Sequence, residues 1–271
     1  MLAFLSRNKQ AAAMLGLLAV AALLVVGLTT KGGTHYSVRK PEPEPEDISH
    51  DPFVFSSYSL PTDNKFMPSI GNGHLATDVF SEAVYMNGLY NGRWGRSRRA
   101  RIPAWANVRL NSTLTHHPYK PMYSLDTKNG VFVVKVERER SVVTQKIYAH
   151  RFYTRALINQ IEVATKPHVD PNFVHHGIWI SIKLMPGGDS DDVEFKEPSA
   201  EYIAGRYVWS SCGHTKISED SEYQPQSKRV CAYWTSVPDH LVVPQHGSRV
   251  FTFAMTLDEN RTVAKQEMIN G

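Results

Sequence analysis

Five arginines in nine residues form the densest group of side chains that could do chemistry: Arg93, Arg96, Arg98, Arg99 and Arg101. Guanidinium groups donate paired hydrogen bonds to flat anionic groups. The cluster therefore predicts a polyanion site, or a surface that pairs with carboxylates beside a sugar pocket. A solvated loop with structural salt bridges is the alternative. The residues predicted for substrate binding or for a domain interface are Tyr90, Asn91, Arg93, Trp94 and Arg99.

Acidic residues crowd one loop, where Asp189, Asp191, Asp192 and Glu194 follow two glycines. Clustered carboxylates can bind calcium, but this spacing does not match an EF-hand loop, so an exposed acidic turn is favoured. No acidic residue stands in a recognisable acid–base setting. We therefore predict no catalytic residue in this chain.

The histidines, glycines and serines do not form a recognisable cofactor or nucleophile site. The pairs His116–His117 and His175–His176 point to opposite faces if they lie in strands, so neither pair chelates one metal easily. Gly71-Asn72-Gly73 lacks the third glycine of a dinucleotide-binding turn, and no G-x-S-x-G motif is present. We predict no metal and no cofactor.

Two cysteines and two sequons depend on the cell compartment. Cys212 and Cys231 lie in two candidate strands, and in an oxidising lumen they would pair as a disulfide. In the cytosol they would remain buried thiols. Asn111 and Asn260 each begin an N-glycosylation sequon, and a luminal location would make both of them sites for glycans.

An uncharged run at 11–28 follows Arg7 and Lys9 near the N-terminus. Its length matches the hydrocarbon core of a bilayer, so it predicts a transmembrane signal anchor at 11–29. Residues 1–10 would then lie in the cytosol, and the folded part would be luminal or extracellular. A cleaved signal peptide is the alternative. A luminal location also argues against nucleic acid as a partner.

Period-two patterning runs through most of 53–257, after a Pro/Glu-rich linker at 30–52. Short alternating segments separated by Gly, Pro and Asn turns are typical of an antiparallel sandwich. We therefore predict an all-β fold, a large antiparallel β-sandwich with one N-terminal transmembrane helix. Residues 258–271 have weak helical patterning and are predicted to begin a truncated linker.

Several motifs recur in the order found in one enzyme family: Gly71-Asn72-Gly73-His74-Leu75, Met86 to Gly92, Ser97 to Pro103, Asn107 to Leu110 and Ile147 to Arg151. On these motifs, the stretch from about Leu60 to Thr256 resembles the N-terminal domain of glycoside hydrolase family 65, and most closely its animal branch. The family usually has His where this chain has Arg98. Its N-terminal domain is a large β-sandwich, which agrees with the periodicity.

The resemblance implies a function. Family members hydrolyse or phosphorolyse α-linked glucosides with inversion, and the animal branch removes glucose from glucosyl-galactosyl-hydroxylysine units of collagen. Their catalytic carboxylates lie in a helical barrel that is absent from this chain. We therefore expect the non-catalytic sandwich of a membrane-anchored inverting glycosidase. Its partners would be a carbohydrate or glycosylated protein substrate, the membrane and the missing C-terminal catalytic domain.

A membrane-tethered carbohydrate- or protein-binding module without enzyme activity is the alternative function. In that case Tyr90, Trp94 and Trp105 would stack on a pyranose ring.

Overall fold

The computed structural model describes residues 51–93, 95–111, 120–166, 177–219, 227–243 and 247–270. The strands in this part of the chain are, in order, β1 Val54–Ser57, β2 Ser69–Gly71, β3 Leu75–Asp78, β4 Ala83–Met86, β5 Tyr90–Asn91, β6 Arg98–Arg99, β7 Ile102–Pro103, β8 Val108–Leu110, β9 Met122–Asp126, β10 Val131–Glu137, β11 Ser141–Ala149, β12 Ala156–Thr165, β13 Ile178–Leu184, β14 Val193–Phe195, β15 Ser199–Ile203, β16 Arg206–Thr215, β17 Arg229–Thr235, β18 His240–Val243 and β19 Ser248–Asp258. A 3-10 helix, Asn64–Phe66, and one α-helix, α1 at Arg261–Asn270, complete the described elements.

Alternation of side chains explains the long central strands. Along β11 every second residue is buried, from Ser141 through Val143, Gln145 and Ile147 to Ala149. Successive side chains of a strand point to opposite faces, so this pattern places one face of β11 in the core. The residues between them are half-buried on the other face of the sheet.

Ten of the strands form one antiparallel sheet. Its order is β1–β9–β10–β11–β12–β19–β17–β16–β14, and β15 also pairs with β16. Strands β9 to β12 follow one another as a meander. Strand β19 lies between β12 and β17, where Thr256 is opposite both Ala156 and Tyr233. The end of the domain is therefore paired into the middle of its largest sheet.

Smaller sheets cover one face of the large sheet. One has the order β18–β13–β8, and its residues Leu241, Ile180 and Val108 share a buried cluster with Val143 and Ile161 of the large sheet. Burial of such side chains is the main favourable term in folding. The described residues are thus mostly β-sheet in layers, which is consistent with the predicted antiparallel sandwich.

A second small sheet has the order β2–β3–β4–β7 and continues into the short pair β5–β6. Its residues Leu75, Val84 and Ile102 are buried against Ala232 and Met255 of the large sheet. The separate β5–β6 pair contains Arg98 and Arg99 of the arginine cluster, whereas the sheet β2–β3–β4–β7 includes Gly71 and Leu75 of the glycine-rich motif. Its position is therefore set by apolar packing on the large sheet.

Helix α1 packs on the large sheet through Ala264 and Met268, which join a buried cluster with Ile158 and Tyr233. At its start, the side chain of Asn260 accepts a hydrogen bond from the backbone N–H of Thr262 (2.9 Å), as a helix cap does. Residues 258–271, which are predicted to begin a linker and have weak helical patterning, contain this helix at Arg261–Asn270.

Glu201 of β15 forms ion pairs with two residues of α1. Its carboxylate oxygens lie 2.9 Å from Arg261 and 2.6 Å from Lys265. Because these side chains are partly exposed, solvent screens the pairs, and they add little to the apolar contacts.

Two of the sequence predictions need correction. No helix among the described residues is long and apolar enough to cross a membrane. Their one α-helix has ten residues and is about 15 Å long, half of the hydrocarbon thickness. On the described residues the fold class is therefore a mostly β domain with one short α-helix; the predicted transmembrane helix is not found among them, and the predicted single-pass membrane localisation is not supported. The predicted anchor at 11–29 and most of the linker at 30–52 lie outside the described residues.

Apolar packing, rather than ion pairing, should hold α1 on the sheet. We predict that Met268→Ala lowers the free energy of unfolding by about 2–3 kcal/mol, because it leaves a cavity in a buried cluster. Glu201→Gln should lower it by less than about 1 kcal/mol. Urea denaturation of the two variants measures both effects, and a larger loss in Glu201→Gln would contradict this account of the helix.

Candidate functional site

The arginine cluster lies on a hairpin formed by β5 and β6. In its register Tyr90 is opposite Arg99, and Asn91 is opposite Arg98. The connecting turn begins at Gly92, whose φ of 118° is in a region that favours glycine. A Cβ at Gly92 would lie 2.8 Å from the carbonyl oxygen of Arg96, so the tight turn excludes other residues. We call residues 90–101 the arginine hairpin.

A buried carboxylate, that of Asp192, anchors the arginine hairpin. The residue is 0% exposed to solvent. Its Oδ1 accepts hydrogen bonds from Nδ2 of Asn91 (3.0 Å) and from Nε (3.2 Å) and Nη2 (2.8 Å) of Arg98. Its Oδ2 accepts one from the backbone N–H of Arg101 (3.0 Å). Both oxygens are therefore satisfied by the hairpin itself, as a buried charge requires.

Ser190 fixes the loop that carries Asp192. Its Oγ accepts hydrogen bonds from the backbone N–H groups of Asp192 and Val193, each at 3.0 Å, and donates to the carbonyl of Arg101 (2.5 Å). On the other side, Lys216 Nζ donates to the carbonyl of Ser190 (2.7 Å). These bonds hold the acidic loop, the arginine hairpin and the end of β16 together.

Close backbone packing supports the same arrangement. A Cβ at Gly187 would collide with the carbonyl oxygen of Glu82 and lie 3.0 Å from the backbone nitrogen of Ala104. Only glycine therefore allows the acidic loop to approach the β4–β7 edge so closely.

The electrostatics of Asp192 follow from these contacts. Burial alone would raise the pKa of its carboxyl group. Hydrogen bonds from the backbone of Arg101 and from the side chains of Arg98 and Asn91 outweigh burial, so the pKa of Asp192 lies below its ordinary value. The same contact raises the pKa of the Arg98 guanidinium, although 64% of that side chain is exposed. The pair is ionised at neutral pH.

The other four arginines of the hairpin are exposed: Arg93, Arg96, Arg99 and Arg101. Within the described part of the chain, no acidic side chain forms an ion pair with any of them. The hairpin therefore combines one structural arginine, Arg98, with a cationic surface that has no carboxylate partner among the described residues. Arg98 matches the structural alternative, and the polyanion or interface role of the other four arginines stays a prediction.

The structure describes four of the five predicted site residues, and their surroundings differ. Asn91 is buried, and its Oδ1 accepts a hydrogen bond from the backbone N–H of Ile217 (2.7 Å). Arg93 is exposed at the turn, and Tyr90 is half-buried. Arg99 lines a cleft of about 120 Å³ with His74, among others. Trp94 lies outside the described residues.

Sequence reasoning missed the role of Asp192. It grouped Asp192 with Asp189, Asp191 and Glu194 in an exposed acidic turn, and these three neighbours are indeed exposed. Nothing local distinguishes Asp192, because its partner Asn91 is 101 residues away in the chain.

The remaining sequence features occupy separate places. Cys212 and Cys231 face each other across β16 and β17 and form a disulfide, with their Cα atoms 4.0 Å apart. Trp105 is half-buried, and one face of its ring stacks on Trp234 with ring centroids 4.3 Å apart. Asn260 is exposed at the start of α1.

Two further features lie partly or wholly outside the described residues. Asn111 is half-buried after β8, and the rest of its sequon lies outside the described residues. The pairs His116–His117 and His175–His176 also lie outside them. Among the described residues, no group of three His, Cys, Asp or Glu side chains is placed to hold a metal ion.

The sequence of this chain is similar to that of known proteins. No protein-family model matches the chain. A protein-glucosylgalactosylhydroxylysine glucosidase from Mus musculus is 32% identical over 221 residues, which are 79% of this chain and 30% of the relative. The Gallus gallus protein of the same name is 26% identical over 226 residues, 83% of this chain and 30% of the relative. The Danio rerio protein is 27% identical over 167 residues, 60% of this chain and 23% of the relative.

The chain is therefore a glycosidase-related β-sheet domain. More particularly, it is homologous to proteins named protein-glucosylgalactosylhydroxylysine glucosidase, which confirms the resemblance found in the motifs. The chain spans about 30% of the length of the mouse and chicken relatives.

The anchor of the arginine hairpin can be tested by removing its charge. We predict that Asp192→Asn lowers the free energy of unfolding by about 2 kcal/mol, since hydrogen bonds to a buried charge are lost while the shape is kept. The exposed neighbour variant Asp191→Asn is the matched control and should change stability by less than about 0.5 kcal/mol. Equal effects of the two substitutions in chemical denaturation would refute the anchor.

The lowered pKa of Asp192 makes this contribution pH-dependent. A carboxyl group whose pKa is lower in the folded state stabilises the fold fully above its unfolded value, near pH 4. The stabilisation is lost as the pH falls through the folded value. The difference in unfolding free energy between wild type and Asp192→Asn should therefore shrink below about pH 4. A difference that stays constant from pH 7 to pH 3 would contradict the assignment.

Proposed function

We propose that this chain supplies the non-catalytic β-sheet domain of an inverting glycosidase that acts on O-glycosyl compounds, such as glucosyl-galactosyl-hydroxylysine. The observation that carries the proposal is the extent of the similarity to the mouse glucosidase. It covers 79% of this chain but only 30% of the relative. A catalytic region would lie in the part of the enzyme that this chain does not match.

The carboxyl groups of the domain support a non-catalytic role. Glycoside hydrolysis with inversion needs a general acid whose pKa is raised, and a second carboxylate about 6.5–9.5 Å away. Among the described residues, every carboxyl group with a resolved pKa shift is shifted downward: Asp63, Asp126, Glu137, Asp192 and Glu201. Each of these groups is held ionised by hydrogen bonds or nearby cations, so none is suited to give up a proton at neutral pH.

In this proposal the arginine hairpin faces the rest of the enzyme. Arg93, Arg96 and Arg99 are exposed and have no acidic partner in the described part of the domain. Arginine pairs well with carboxylates at domain interfaces, because its planar fork binds both oxygens. The contact between Arg98 and the buried Asp192 holds the hairpin in one position, so less conformational entropy is lost when a partner docks.

A domain replacement tests the proposal. The 221 matched residues of the mouse glucosidase are replaced by residues 51–270 of this chain, and glucose release from glucosylgalactosylhydroxylysine is measured. We predict that the chimera releases glucose and that the purified chain alone does not. The mouse protein with its own domain deleted is the control and should be inactive.

Two results would overturn the proposed function. One is glucose release by the purified chain alone, which would place catalysis within this domain. The other is a chimera that folds, as judged by its thermal unfolding, yet releases no glucose.

A further inference from the structure

A cleft of about 460 Å³ lies beside the turn between β3 and β4. One wall is the segment that contains the 3-10 helix, including Asn64. Asp78, Phe80 and Glu82 also line the cleft, together with Arg101 and Arg109. A volume of this size is typical of pockets that bind small molecules.

Phe80 at the wall of this cleft has a strained backbone. Its φ is +61°, in a region that is unfavourable for a large aromatic residue. The side chain of Arg109 holds the turn by donating from Nη2 to the carbonyl of Phe80 (2.5 Å), and Asn107 Nδ2 donates to the carbonyl of Ser81 (3.1 Å). A glycine at position 80 would form the same turn without strain. Strained residues of this kind cluster at functional sites.

Arg109 is a second costly feature of the same wall. Its Nε is buried and has no hydrogen-bond acceptor among the described residues. Burial lowers the pKa of its guanidinium, and the nearby Glu82 opposes this only in part. Its guanidinium carbon lies 4.8 Å from the centre of the Phe80 ring. A solvated or fully hydrogen-bonded side chain at this position would make the folded state more stable. Folding alone therefore does not account for the buried, partly unpaired guanidinium.

The charges of the cleft indicate the chemistry of its ligand. Asp78 and Glu82 supply acceptors, Arg101 and Arg109 supply donors, and Asn64 supplies both. A strongly anionic or cationic ligand would meet like charges on at least one wall. A neutral ligand with many hydroxyl groups can donate to the carboxylates and accept from the guanidinium groups at the same time.

We propose that this cleft binds a neutral saccharide unit, with Glu82 and Arg101 as the direct contacts to its hydroxyl groups and the Phe80–Arg109 pair as the fixed wall. The proposal rests on the proposed function, because it assigns part of a glycosylated substrate to this domain. The cleft would hold the sugar of the substrate through these contacts.

The test measures binding to the purified chain by saturation-transfer NMR and calorimetry, with glucosylgalactosylhydroxylysine as the probe. Hydroxylysine and glucuronate are the comparison ligands. We expect Glu82→Gln and Arg101→Gln each to weaken binding of the probe by about tenfold, the loss of one hydrogen bond to a charged group. Both side chains are exposed and form no hydrogen bond through their side-chain atoms within the described residues, so the variants should fold.

Matched controls are Glu194→Gln and Arg229→Gln, which change exposed residues of the same types outside the cleft. Their affinity for the probe should equal that of the wild type. The proposal is overturned if the wild type does not bind the probe at millimolar concentration. It is also overturned if glucuronate or hydroxylysine binds as well as the probe, or if the control variants lose as much affinity as the cleft variants.

This binding assay requires no enzyme activity, so it fails separately from the domain replacement. An inactive chimera together with sugar binding at the cleft would remove the proposed function and leave the binding site. An active chimera without sugar binding would remove the binding site and leave the proposed function.

Discussion

A carboxylate that has no contact with solvent must find its hydrogen-bond donors inside the protein, and Asp192 finds all of them on the arginine hairpin. This requirement determines where the hairpin lies relative to the acidic loop. It also divides the five arginines into one that neutralises a buried charge and four that face solvent. The cationic surface is thus a consequence of an anchor beneath it, and its shape should not depend on a bound partner.

The Asp192 anchor and the cleft beside β3 and β4 share one residue, Arg101. The backbone N–H of Arg101 donates to Asp192, while the side chain of Arg101 lines the cleft. The acidic loop also packs against the carbonyl of Glu82, where only glycine fits at position 187. Anchor and cleft are therefore joined through Arg101 and Glu82, which directly precede β7 and β4 of the small sheet that packs on the large sheet through apolar contacts. A domain that must present polar groups in fixed positions to a substrate or a neighbouring domain benefits from such rigidity.

Much of the fold could be predicted from local pattern, and much of the site could not. The alternation at Ile178–Leu184 predicts β13 with its observed bounds. Local pattern is enough there because burial of one strand face repeats every second residue. The burial of Asp192 and the positive φ of Phe80 depend on contacts with residues 101 and 29 positions away, so no local pattern indicates them. The predicted transmembrane helix at 11–29 is not found among the described residues, whose one α-helix is short and packs on the sheet.

The most direct test of this account is amide hydrogen exchange of the wild-type chain at neutral pH. The N–H of Arg101 donates to a buried carboxylate, and the N–H of Ile217 donates to the buried side chain of Asn91. Both amides should exchange slowly, at rates close to those of the β3–β4 core, although the Arg101 side chain is exposed. Rates near those of an unfolded peptide at these two positions would show that the hairpin is not anchored, and would contradict the account at its centre.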